Sequence, residues 1–281
     1  MDFRRGMTGS TVALGIVLAI GAPLAASAQG FNAGPPAFTP EEGAKDLKSV
    51  LFNWTWYMGM LRGVDEHELV VSLEYQGNGT VQVSGQPCTL TKYRASINYQ
   101  TPGERVQYTC TRPNGQTYSA VEVVSDRYAW NEDVPGAEII AGEGKATPMP
   151  NAVEERLIRL WASPQGAPKA ALAGAGIDIR QMTRNPGALL EAGKSQIGST
   201  SVAFKGGKPV VTFPIPGVQG ATGEATLDDR FMAERVVVKQ GSTTTEFTYG
   251  SYQDWNNPLN KIEAYYAGTL TEKRDGNVVR D

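Results

Sequence analysis

The single histidine, His67, stands among acids in VDEHELV, flanked by Asp65, Glu66 and Glu68. A carboxylate beside an imidazole can tune it into the working range of a general base. The same residues at the head of an alternating run also describe a surface histidine beside solvated acids, and we adopt that reading. A Ser-His-Asp hydrolase would have to use His67, yet no Gly-x-Ser-x-Gly turn exists to hold its serine. With one histidine and two cysteines, a zinc site would consist almost wholly of carboxylates, unlike the usual nitrogen and sulfur sets, so no metal is expected. Neither a Gly-x-x-x-x-Gly-Lys-Ser/Thr loop nor a strand followed by Gly-x-Gly-x-x-Gly is present; in GAGIDIR, residues 174–180, the glycines precede the strand. No cofactor is expected. The acid pairs Glu132-Asp133 and Asp228-Asp229 sit near turns and read as solvated loop acids, since neighbours on a strand face opposite ways.

Aromatic side chains carry more information than titratable ones. The chain has 5 Trp, 11 Tyr and 8 Phe, concentrated in apolar runs. In FNWTWYMGM, Phe52, Trp54, Trp56, Met58 and Met60 occupy every second position, which predicts one face of a strand over residues 50–60. Tyr128 and Trp130 share a face of YAW, and Phe247 and Tyr249 share a face of TEFTYG, with Tyr252, Trp255, Tyr265 and Tyr266 close by in sequence. Tyr and Trp combine an apolar body with a polar tip, which suits a cavity wall as well as a core. Phe52, Trp54, Trp56, Met58, Tyr128, Trp130 and Tyr249 are therefore the candidate ligand-binding residues.

The elements that would position them follow from periodicity. Residues 1–28 have the parts of a secretory signal: Arg4 and Arg5, an apolar run from Thr11 to Leu24, and Ala26-Ser27-Ala28 as the cleavage site. A periplasmic or secreted protein is expected, and the later sequence has no run near the ~20 apolar residues of a membrane span. In that oxidising setting Cys88 and Cys110 are expected to pair. The formal net charge is −3, and no basic block exists, so nucleic acid and anionic membranes are not expected partners. Residues 29–38 read as an extended lead-in. In TPEEGAKDLKSV a short helix is expected, with Thr39 as N-cap and Pro40 at its first position.

Runs such as KYRASINYQ, ERVQYTCTR and SAVEVVS, punctuated by Pro102-Gly103 and Asn114-Gly115, predict an antiparallel meander. Tyr93, Ala95, Ile97 and Tyr99 take one face, and Lys92, Arg94, Ser96 and Asn98 the other. At about 151–174 the period changes. A helical pair is expected there, with Leu157, Leu160 and Trp161 inward and Glu154, Glu155, Arg156 and Arg159 facing solvent. Further strands follow, and residues 271–281 read as a polar tail. The expectation is one mainly β (α+β) domain over residues 39–270, a curved antiparallel sheet or half-barrel with the helical pair on its concave face.

The segments LKSVLFNWTW, YRASINYQTPGERVQYTCTR, SDRYAWNED, RLIRLWASPQGAPKAALAG and FTYGSYQDW resemble an uncharacterised bacterial secreted domain that often precedes a metallo-β-lactamase-like hydrolase module. The resemblance spans roughly residues 40–266. The hydrolase module itself is not expected within these residues, because its metal site needs several histidines and the sequence has one. The order of elements is also similar to the LolA/LolB-like lipoprotein carriers, which implies a half-barrel holding lipid against a helical plug. Three functions are compatible with this: a binding or carrier protein for a hydrophobic or aromatic small molecule or acyl chain, a cofactor-free lyase or isomerase acting in the same cavity, or a structural envelope protein. A buried charged group on the concave face would favour the lyase, since a carrier has little use for one.

Overall fold

The computed structural model describes residues 43–61, 70–133, 145–178, 191–255 and 264–281. The signal segment, the helix start at Thr39 and Pro40, and His67 lie outside the described residues. The first element is helix α1 (Leu47–Tyr57), where a strand was expected. Asp46 caps it: its carboxylate accepts from the Ser49 backbone N–H at 2.8 Å, and Ser49 Oγ accepts from the Asp46 N–H at 3.3 Å. Burial works against ionisation of Asp46, but hydrogen bonds from Ser49 and Gly193 hold its carboxyl below the ordinary range. The period-two reading failed because every face of this helix is buried, including Leu51, Asn53 and Thr55 between the large residues. A helix enclosed on all sides has no polar stripe to reveal its 3.6-residue period. Thr55 satisfies its hydroxyl within the helix, on the Leu51 carbonyl at 2.8 Å.

A meander follows as expected: β1 (Ser72–Gln76), β2 (Thr80–Val83), β3 (Gln86–Asn98), β4 (Gly103–Thr111), β5 (Thr117–Ser125), β6 (Tyr128–Glu132) and β7 (Ala146–Pro148). Tyr93, Ala95, Ile97 and Tyr99 are all buried, and Lys92, Arg94 and Asn98 are exposed. A Cys88–Cys110 disulfide staples β3 to β4 inside a small core of its own, with Val81, Leu90, Val106 and Tyr108. Cross-linking residues 22 apart in sequence stabilises a fold by about 3 kcal/mol in the chain-entropy account.

Helices α2 (Val153–Ala162) and α3 (Gly166–Gly174) form the expected pair. Ser163 makes the break between them, donating to the Leu160 carbonyl at 2.7 Å and accepting from the Gly166 N–H at 3.1 Å. Leu157, Leu160 and Trp161 are buried as expected. Arg156 and Arg159 are not on the solvent face, however. Both turn inward against the sheet, which is tolerable because each guanidinium finds acceptors there.

The second half of the sheet comprises β8 (Gln196–Ile197), β9 (Thr200–Lys205), β10 (Lys208–Pro214), β11 (Thr222–Leu227), β12 (Ala233–Gln240) and β13 (Thr243–Gly250). A separate two-stranded ribbon, β14 (Gln253–Asp254) with β15 (Tyr265–Tyr266), stands beside it. The segment expected as a polar tail enters the sheet instead, as β16 (Thr269–Arg274) and β17 (Asn277–Arg280). β17 lies between β16 and β2, so it joins the two halves into one sheet ordered β7-β6-β5-β4-β3-β2-β17-β16-β13-β12-β11-β10-β9-β8, with β1 on β3. The join is short. Arg280 stands opposite Val81, and Thr80 and Asp281 exchange backbone hydrogen bonds at 2.8 and 2.9 Å.

The architecture is mainly antiparallel β, and α2 touches β4, β5 and β6 as well as β12. β4 and β12 are six positions apart in the sheet, roughly 29 Å if it were flat. A helix is only about 10–12 Å across. The sheet therefore has to curl about α2. Among the described residues no helix is long and apolar enough to cross a membrane.

Candidate functional site

The candidate site is a cavity of about 950 Å³ where the C-terminal strand meets β1 and the ribbon. β1 supplies Leu73 and Tyr75, β3 supplies Leu90 and Tyr93, β15 supplies Tyr265 and Tyr266, and β16 supplies Leu270. Gln165 reaches it from the α2–α3 junction, Arg280 from β17, and Trp255 from beyond the ribbon, where its indole is 64% exposed. The aromatic wall is continuous: the Tyr75 ring lies 5.2 Å from Tyr266 and 5.9 Å from Tyr93 between centroids, tilted by 35° and 37°.

Arg280 faces inward because it sits directly opposite Glu272 across the β16–β17 pair. Its Nη2 meets Glu272 Oε2 at 2.8 Å, and its Nη1 donates to Tyr93 Oη at 2.7 Å. The third guanidinium nitrogen, Nε, has no partner. Gln165 is held by its amide nitrogen, which donates to the Tyr265 carbonyl at 2.6 Å and the Met58 carbonyl at 3.4 Å, leaving Oε1 unpaired. The Tyr266 hydroxyl is unpaired too. Among the described residues five buried side-chain polar atoms lack a partner, and three belong to residues lining this cavity. Each such group ordinarily costs about 1–3 kcal/mol. Burial raises the Tyr75 and Tyr266 phenols well above their ordinary value, with neighbouring tyrosines adding to it.

Tyr93 and Arg280 also border a second, smaller cavity of about 190 Å³. Its walls are charged. Arg159 lies 3.4 Å from each of Glu122, Glu155 and Glu272, and Arg274 meets Glu155 at 2.8 Å. Burial opposes ionisation of Glu272, but Arg159, Arg280 and Arg274 hold its carboxyl below the ordinary range. Tyr108 donates to Glu122 at 3.2 Å. This network ties α2 to β5 and β16.

Two more buried charges stand nearby. Glu104 on β4 is 4% exposed and accepts no hydrogen bond among the described residues; burial raises its carboxyl, with Arg159 and Arg280 pulling the other way. It lines neither cavity. Lys169 donates to the Val70 carbonyl at 2.8 Å and sits 5.0 Å above the Tyr99 ring, and burial brings its ammonium down to about 7.

The seven aromatic and thioether residues expected to bind ligand are not gathered here. Phe52, Trp54, Trp56 and Met58 pack in the main core, with Phe52 stacked on Trp56 at 5.8 Å and Trp54 against Phe213 at 6.4 Å. Tyr249 stacks on Phe247 and donates to the Ala162 carbonyl at 2.8 Å. Tyr128 is 61% exposed beneath the Arg127 guanidinium, and Trp130 gives its carbonyl to Arg156 at 2.8 Å. None of the seven lines either cavity. The residues that do were partly visible in sequence as the aromatic cluster Trp255, Tyr265 and Tyr266, but Arg280 and Gln165 carried no signal of their own.

The acid pairs have ordinary roles. Glu132 is bidentate with Arg105 at 2.7 and 3.0 Å, Asp133 accepts from Thr147 at 2.8 Å, and Asp228 receives the Arg230 and Met232 backbone N–H groups of its own turn. Comparison of the chain with protein-family models and with curated protein sequences returns no match, and the chemistry of the site has to come from its own geometry.

Proposed function

We propose that this chain is a periplasmic binding or carrier protein for a hydrophobic or aromatic small molecule or an acyl chain, held in the aromatic cavity beside β17. The single observation that carries the reading is a ligand-sized space walled by the Tyr75, Tyr93 and Tyr266 rings. A hydrophobic or aromatic body fills such a space. The curled sheet about α2 fits the half-barrel of the LolA/LolB-like carriers, and the secretory leader expected at residues 1–28 fits a periplasmic address.

The buried charges bring the lyase or isomerase reading forward, because Glu104 is an acid of the kind such chemistry needs. Two facts weigh against it. Glu104 lines neither cavity, and the cavity phenols are pushed away from the range in which they act as bases. A purely structural envelope role leaves a tyrosine-walled space of this size without a use.

Native mass spectrometry of protein taken from its own periplasm, followed by a screen of lipids and aromatic compounds read by tryptophan fluorescence, tests the proposal. A co-purified or titratable amphiphile supports it. Turnover of a screened compound replaces it with the lyase, and absence of both leaves the structural role.

A further inference from the structure

Resting on the binding reading above, we propose that the hydrophobic or aromatic body enters the cavity as the side chains of an extended, basic peptide, which adds a strand beside β1. The sheet leaves one row open there. Along β3, residues 86–89 pair with β2 and residues 94–98 pair with β1, so β1 continues the row of β2. The next row is held by β17, whose pairing ends with Arg280 opposite Glu272 and Val81. Beyond that point β1 has no strand on its second edge among the described residues. The cavity begins there, with Arg280 and Asp281 at its end, residues 72–79 along one side, and along the other residues 264–270, which lead into β16. Rows of a sheet lie about 4.8 Å apart, so the space between β1 and the line of β16 is one strand wide.

The edge of β1 carries the groups that such a strand needs. The Tyr99 N–H bonds the Val71 carbonyl at 2.9 Å and the Gly77 N–H bonds the Tyr93 carbonyl at 3.4 Å, so residues 71, 73, 75 and 77 turn toward β3. Alternate residues of an antiparallel ladder bond the same neighbour, so the N–H and C=O groups of Ser72, Glu74 and Gln76 turn to the open edge. All three residues are exposed, and all three line the cavity. A strand added here gains main-chain hydrogen bonds and sends alternate side chains to opposite faces. On the inner face they meet Leu73, Tyr75, Tyr93 and Leu270, which suits Phe or Leu. The outer face has Glu74 and Asp281, both exposed. Glu74 meets Arg94 at 2.6 Å, and Asp281 accepts from Thr271 at 2.7 Å with no ion pair among the described residues. The one cation on the wall, Arg280, already faces Glu272 at 2.8 Å. Lys or Arg therefore suits the outer positions of the peptide.

The test is a calorimetric titration of the protein with four probes: acetyl-Lys-Phe-Lys-Phe-Lys-amide, the same peptide with every backbone nitrogen methylated, acetyl-Glu-Phe-Glu-Phe-Glu-amide, and 1-decanol, which has no backbone to pair. Methylation keeps the charge and the side chains and removes the main-chain donors. The lysine peptide is expected to bind at least about tenfold more tightly than the methylated or the glutamate peptide, since each main-chain bond contributes about 1 kcal/mol and tenfold is 1.4 kcal/mol. Hydrogen exchange at residues 72–76 is expected to slow in its complex. Equal affinity of the methylated peptide, or unchanged exchange at residues 72–76, overturns the added strand. Equal affinity of the glutamate peptide overturns the basic outer face. Binding of decanol without binding of the lysine peptide overturns the inference and leaves the binding reading standing. If neither binds, both fall.

Discussion

The two cavities share a wall, Tyr93 and Arg280, yet are built on opposite principles. In the small one, Arg159 faces Glu122, Glu155 and Glu272, and Arg274 faces Glu155, so every charged side chain on its wall has a counter-charge. In the large one, tyrosines dominate and three polar atoms of its lining residues go unmet. The densest charge cluster joins a helix to two distant strands, and the better candidate for recognition is the quieter, tyrosine-walled space.

The sharpest way to break the contrast is Arg159→Met. If the small cavity is a structural joint, removing its central cation strands Glu122 and leaves Glu155 and Glu272 with one arginine each, and should cost about 3–5 kcal/mol in chemical denaturation. A loss under about 1 kcal/mol would mean the network holds nothing together.

A pair of isosteric changes probes the buried acids next, with opposite signs. Glu272 is held below its ordinary range, so its contribution to stability is present above the unfolded-state value and lost as pH falls through the folded one. Glu104 is held above its range, so the stability attached to it is present in acid and lost as pH rises through the folded value. Glu272→Gln should therefore lower the melting temperature at neutral pH, and Glu104→Gln should raise it. Both differences should shrink toward zero as the melts are repeated in acid. The same sign for both at neutral pH would show that their environments are not distinguished in this way.

The smallest expected effect is at the rim of the large cavity. Trp255→Ala should shift unfolding by no more than about 0.5 kcal/mol, as for an exposed residue, while removing most of the fluorescence response to a bound probe. A large loss of stability would make Trp255 part of the packing and not the mouth of a site.

Several features were legible without coordinates. Strand alternation in residues 92–99 set which side chains of β3 are buried, because period two is a local property of extended backbone. Two cysteines in a chain expected from its sequence to be exported pointed to the bond between β3 and β4. The change of period at 151–174 marked α2 and α3. Other features depend on what lies opposite. Whether Phe52, Trp54, Trp56 and Met58 belong to a strand or a helix turned on burial of the residues between them, which only packing against α3 and β9 supplies. Arg156 and Arg159 looked like the polar side of α2 because a local pattern cannot show that carbonyls of β5 and β6 and carboxylates of β5 and β16 wait there. The last strand reads as a polar tail since its value lies in bridging β16 and β2, nearly two hundred residues apart in sequence. That bridge places Arg280 at the shared wall. Sequence determines local conformation through backbone sterics and side-chain period; which groups end up paired, and which remain unpaired beside a space, is decided only when distant strands meet.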